Sequence, residues 1–189
     1  MKNPIHDLED YTNFMEKQLR TLRHFERCLF AMWCVDHLLA THADLLAENL
    51  PKSDLQTIRQ IVNELWETLL EGVIPDKDQL NALDMDFMEA DARWGDPASD
   101  VHPVATIIQQ SVGMCILGCR RNDVDVALTV AQSVIDCLDC KLEEDHPSYS
   151  PDDLCQRPEF QNELDAQSAM MKHLRGEYEL TPKLRTMFR

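Results

Sequence analysis

Residues 103–120 read PVATIIQQSVGMCILGCR. Proline suits the first position of a helix, where its missing N–H would have had no partner anyway. From there Val104, Ile107, Ile108, Val112, Cys115, Ile116 and Cys119 recur three or four residues apart, the spacing of one buried helical stripe. Gly113 and Gly118 sit inside it, each about 1 kcal/mol worse than Ala in a helix. That cost is tolerable where a second helix has to come close.

The same pattern extends in both directions. Asn122, with Asp125 three residues on, predicts the start of a helix to about Glu144 that turns Val124, Ala127, Leu128, Ala131, Val134, Ile135, Leu138 and Leu142 inward. His146–Arg157 holds two prolines and reads as a loop; Pro158 then opens a helix with Phe160, Leu164, Met170, Met171 and Leu174 as its apolar positions. Thr181-Pro182 predicts a short terminal helix or a kink.

Upstream, Asp7–Glu48 reads as one long helix or two with a bend near Thr21, and its run Cys28–Leu39 is apolar nearly all round, which places it centrally. Ser53 and Gln56 match a capping box ahead of Leu55, Ile58, Ile61, Leu65, Trp66 and Leu69, and Gly72 and Pro75 close that helix. Asp76 or Asp78 caps a further helix, about Lys77 to Trp94, with Leu80, Leu83, Phe87 and Met88 as inward candidates. The expectation is an all-α fold: a compact multi-helix bundle of about six or seven helices, in a single domain over residues 1–189.

Charge limits the partners. The chain carries 34 Asp+Glu against 18 Lys+Arg, a net of −16. Residues 61–119 concentrate the imbalance, with only Lys77 and Arg93 as basic groups. So acidic a surface repels phosphate backbones and anionic membranes, so neither nucleic acid nor membrane is expected as a partner. It attracts a basic protein, or it serves solubility alone. No apolar run reaches the length of a membrane span, and no secretory leader is read at Met1–Pro4, so a cytoplasmic protein with reduced thiols is expected.

Four segments together resemble a known family. Val62-Asn63-Glu64-Leu65-Trp66-Glu67-Thr68-Leu69, Val101-His102-Pro103-Val104, Asp125–Ser133 and Arg157–Leu164 are similar, in that order, to helices of the YjaG-type family of small all-helical bacterial proteins. The resemblance implies the fold and lends no activity. One departure falls at Asp36–His42, where the family ends its first helix with Glu-Arg and then Pro-Asn-Tyr.

No nucleophile elbow, phosphate-binding loop, zinc-protease helix or dinucleotide fingerprint is present. Cys115 with Cys119 and Cys137 with Cys140 are paired on helical faces. Four thiolates suit zinc, but structural zinc sites place such pairs in turns, and apolar stripes use cysteine as a small hydrophobe. No metal and no cofactor is therefore assigned. Asp36, His37 and His42 form a second group, fit either for acid–base work or for complementing a helix C-terminus.

Asp84, Asp86, Glu89, Asp91, Asp96 and Asp100, with Trp94 among them, form the densest acidic stretch. Carboxylates around an aromatic anchor make a candidate partner-binding site; a solvated helix face explains the same residues without one. The resulting expectation is a small protein-binding module for a basic partner, in its sharpest form an immunity protein that occludes a toxin such as a nuclease. The alternative is an enzyme or metal-linked regulator using Asp36, His37 and His42 or the cysteines. A homo-oligomer that hides the all-round apolar helix is a third arrangement.

Overall fold

The computed structural model describes residues 5–91, 101–146 and 148–188. Among the described residues there are eight α-helices, two 3-10 turns and no strand. The helices are α1 (Leu8–Leu19), α2 (His24–Thr41), α3 (Ala43–Asn49), α4 (Lys52–Leu70), α5 (Lys77–Asp91), α6 (Pro103–Arg120), α7 (Val124–Asp145) and α8 (Pro158–Leu174). The 3-10 turns, Pro151–Gln156 and Pro182–Thr186, flank α8 in sequence.

The expected six or seven helices become eight because the amino-terminal region breaks twice. At the first break, the expected bend, the hydroxyl of Thr21 donates to the Gln18 carbonyl at 2.6 Å. Buried Arg27 then turns back and donates to the carbonyls of Leu19, the last residue of α1, and of Leu22 in the turn that follows. Its guanidinium also reaches the Asn122 side chain, tying this corner to the start of α7. The second break is His42, whose φ of −110° and ψ of 25° end α2 and begin α3.

Two predicted starts move by a residue or more. Ser53 does not cap α4. Pro51 fills the N-cap position and its carbonyl accepts from Asp54 and Leu55, while the Ser53 hydroxyl bonds the buried Asp54 carboxylate. Likewise Asp123, not Asn122, caps α7, its carboxylate accepting from the Asp125 amide at 3.0 Å. The other starts stand as expected. Asp76 accepts from the amides of Asp78 and Gln79, both at 2.9 Å, and Pro103 and Pro158 open α6 and α8. Gly72 follows α4 with φ +84°, a left-handed residue where glycine is cheapest.

α2 lies at the centre and packs against α4, α6, α7, α8 and the Pro182–Thr186 turn. Every residue from Cys28 to Val35 is buried, which is why the sequence there shows no polar face. One apolar cluster draws side chains from all eight helices. The glycines of α6 mark close approaches: a methyl group on Gly113 would meet the Phe87 ring of α5 at 2.8 Å, and one on Gly118 would meet Val126 of α7 at 3.2 Å.

Candidate functional site

Three helices each turn one stripe into a shared cavity of about 300 Å³. α2 contributes His37, Leu38 and Thr41, with His42 at its end; α7 contributes Val134, Leu138 and Lys141; α8 contributes Glu159, Asn162, Glu163 and Ala166. The α7 and α8 sets repeat at three and four residues, so a single face of each helix forms a wall. Phe188 adds an aromatic ring from beyond the last 3-10 turn. Its φ of 64° lies in the left-handed region, rare for a bulky side chain, and its ring sits edge-on to His173 at 5.9 Å.

The lining of the cavity includes a buried carboxylate. Glu163 is 8% exposed. Burying a charge is costly unless it is hydrogen-bonded, and here Gln167 donates to Glu163 Oε1 at 2.8 Å. Gln167 in turn accepts from the Tyr11 hydroxyl at 2.9 Å, so a polar chain runs from the core to the cavity. Burial, then the nearby Cys34 and Glu163, pushes the Tyr11 phenol well above its ordinary value and keeps it neutral. Glu163 Oε2 faces His37 Nε2 across 3.8 Å, longer than a direct hydrogen bond. The Thr41 hydroxyl lies 3.3 Å from His37 Nδ1.

His42 is held below its usual pKa, first by burial and then by Lys141, against an opposing pull from Glu144. It is therefore neutral at pH 7. His102 lies beside it, 2.8 Å from Glu144 Oε1, and its other ring nitrogen caps α6 by accepting from the Val104 amide. The cavity thus offers apolar walls, a buried anion, a neutral imidazole and an exposed ammonium.

The Asp36, His37 and His42 group does not assemble as expected. His37 and His42 share this cavity, but Asp36 points to another side of α2. There Arg185 forks onto it, Nε to Oδ2 at 2.7 Å and Nη2 to Oδ1 at 2.8 Å, and also donates to Asn63. Adjacent helical residues diverge by about 100°, which separates the two side chains. The sequence reading missed Glu163, Asn162 and Lys141. The one signal it offered was a polar stripe, Glu159, Asn162 and Glu163, at the head of a proline-initiated helix.

The cysteines lie in or against the core. All but Cys140 are buried. Burial raises the Cys115 thiol well above its ordinary pKa; Cys119 is also raised, first by its hydrogen bond with Cys28 and then by burial. Among the described residues, no group of three or more His, Cys, Asp or Glu side chains is placed to hold a metal ion. Nor, among them, is any helix long and apolar enough to cross a membrane.

The acidic stretch divides. Asp84 is half-buried and paired: Arg120 of α6 donates to its Oδ2 at 2.9 Å and also holds the Leu80 carbonyl and Asn81 side chain. Asp86 and Glu89 are exposed. Asp91 ends α5, and its side chain lies outside the described residues, as do Trp94, Asp96 and Asp100. The expectation that Met88 turns inward is corrected. Met88 is 62% exposed and Met85 72%, because the inward positions of α5 are taken by Leu80, Leu83, Phe87 and Ala90.

No curated protein and no solved structure matches the chain. Residues 14–189 match the family model described as "Protein of unknown function (DUF416)", and the chain belongs to that family.

Proposed function

We propose that this chain is a protein-binding module whose contact surface is the outer face of α5 and whose partner is a basic protein. The observation that supports this reading is the pair Met85 and Met88, one turn apart, both mostly exposed, and interleaved with the exposed carboxylates Asp86 and Glu89. Methionine adapts to irregular partner surfaces, and an apolar pair rimmed by one sign of charge suits a groove rimmed by the other. The net charge of −16 speeds encounter with such a partner at low salt. Asp84 serves the fold through Arg120, which leaves Asp86 and Glu89 as the recognition charges.

In its sharper form the module is an immunity protein: a YjaG-type, single-domain cytoplasmic protein that occludes a basic toxin such as a nuclease. Its small size, its acidity and the lack of a catalytic signature support that form.

The test places a photo-crosslinking residue at position 85 or 88 and irradiates in source lysate at low and high salt. A single basic protein attached at low salt, and lost with Asp86→Lys/Glu89→Lys, is the expected result. An adduct indifferent to salt and to charge reversal would refute the surface. The immunity form further requires that the captured protein be toxic when expressed alone.

A further inference from the structure

The cavity among α2, α7 and α8 is a different place from the α5 face, since α5 packs against α4 and α6. We propose that this cavity is a binding site for a small organic cation, an alkyl- or arylammonium with an apolar body, whose charged end meets the Glu163 carboxylate.

Four observations carry the assignment. The first is size. At about 300 Å³ the cavity stands at the small end of ligand pockets, roughly 300–1,000 Å³, and so takes a compact molecule. The second is the lining: Leu38, Val134, Leu138 and Ala166 give apolar walls that gain by covering an aliphatic or aromatic body. The third is the distribution of charge. Glu163 is buried, with the half-buried His37 ring 3.8 Å from its Oε2, whereas Lys141 and Glu159 are exposed and screened by water, so of these three charged side chains the Glu163 carboxylate is the least screened. The fourth is orientation. Gln167, itself buried and anchored by Tyr11, fixes Oε1, while Oε2 is the oxygen on the His37 side, along the cavity wall. A carboxylate held in this way is prepared for a cation before the ligand arrives.

The other lining groups agree with a cation. Thr41 and Asn162 supply oxygen acceptors for the remaining ammonium protons, and neutral His42 adds no positive charge to repel them. Phe188 adds an aromatic ring to the lining, a group whose face attracts cations. An anionic ligand would instead rely on exposed Lys141 and would meet Glu163 at like charge.

The experiment titrates the full chain with pentylammonium, with pentanol and with hexanoate, followed by calorimetry and by the proton resonances of His37 and His42. The expected result is one site that binds pentylammonium at least tenfold more tightly than either of the others and shifts both histidines. Glu163→Gln keeps an acceptor for Gln167 and should lose that preference tenfold or more. Ala166→Leu fills the cavity without touching the charge and should abolish binding of the amine. Should Glu163→Gln fail to fold, the cavity-filling variant and the comparison of pentylammonium with pentanol and hexanoate on the wild-type chain carry the test. Hexanoate binding as tightly as the amine, or amine binding unchanged in Ala166→Leu, would overturn the assignment.

Discussion

Arg185 and Asp36 form a two-pronged ion pair that fastens the last 3-10 turn to the central helix, with N–O distances of 2.7 and 2.8 Å. The same guanidinium lies 5.6 Å above the Trp66 ring of α4. A planar fork satisfies both contacts at once, and a lysine cannot.

Arg185→Ala should therefore destabilise the protein by about 2 kcal/mol, because it removes charge-assisted bonds and leaves a largely covered carboxylate. Arg185→Lys should recover less than half of that loss. Denaturant unfolding of both variants checks the order; equal stability of Lys and wild type would show that the fork geometry is unimportant.

Gly113 and Phe87 set the spacing of α6 and α5. In the wild-type background Gly113→Ala should cost roughly 1–2 kcal/mol, since the new methyl meets the ring at 2.8 Å. In a Phe87→Ala background the clash is gone, and the same substitution should stabilise by up to about 1 kcal/mol through helix propensity. A double-mutant cycle reads the change of sign, and a stabilising Gly113→Ala in the wild type would mean that the ring moves aside freely.

This pair also shows what a sequence carries. The stripes from Val104 to Cys119 and from Leu55 to Leu69 were legible because burial repeats with the helical turn. The glycines were legible as close approaches, though not which residue approaches. The break at His42 was hidden, because Thr41-His42-Ala43 contains neither glycine nor proline. Ser53 misled because proline two residues earlier had already fixed the helix start. Of the cavity, only His37 and His42 stood out. Glu163 reads in sequence as one more surface carboxylate, and only the packing of α8 on α2 turns it into a buried one.

The cysteines should react in a strict order. Cys140 is the least buried, yet its thiol is raised, first by burial and then by Asp139, Glu143, Asp136 and Glu144. A raised pKa lowers the thiolate fraction at pH 8, so alkylation should keep accelerating above pH 9. Added salt screens the carboxylates and should speed it at fixed pH. Cys115 and Cys119 should label only as the core opens. Mass spectrometry of timed iodoacetamide reactions checks this, and early labelling of Cys115 would contradict the packing.

His42 makes stability fall with acid. Its folded pKa is lowered from the usual 6.5 by burial and Lys141, with Glu144 pulling the other way and His102 adding to the depression. Below about pH 6.5 the unfolded chain therefore binds a proton that the folded chain refuses. This contribution is complete above that pH, is lost as pH falls towards the folded pKa, and levels off beneath it. His42→Gln should flatten that part of the stability curve. Proton NMR titration of His42 should give a midpoint below that of the unfolded chain, and a midpoint above it would reverse the sign.

α5 separates a core-facing side from an exposed one along a single helix. Leu80 and Leu83 are buried at 3% and 2%, and each truncated to Ala should cost about 2–5 kcal/mol. Met85 and Met88, on the opposite face, should each change stability by no more than about 0.5 kcal/mol when truncated, because little of either side chain leaves water on folding. Asp86→Lys with Glu89→Lys should be as mild, and slightly favourable, since it relieves repulsion in a chain of net charge −16. Asp84→Lys should not be mild, because it turns the bond with Arg120 into a repulsion. Chemical denaturation of these variants orders the positions of α5 before any partner is in hand. A stability loss of several kcal/mol at Met88 would place that side chain in the core and remove it from the proposed contact surface.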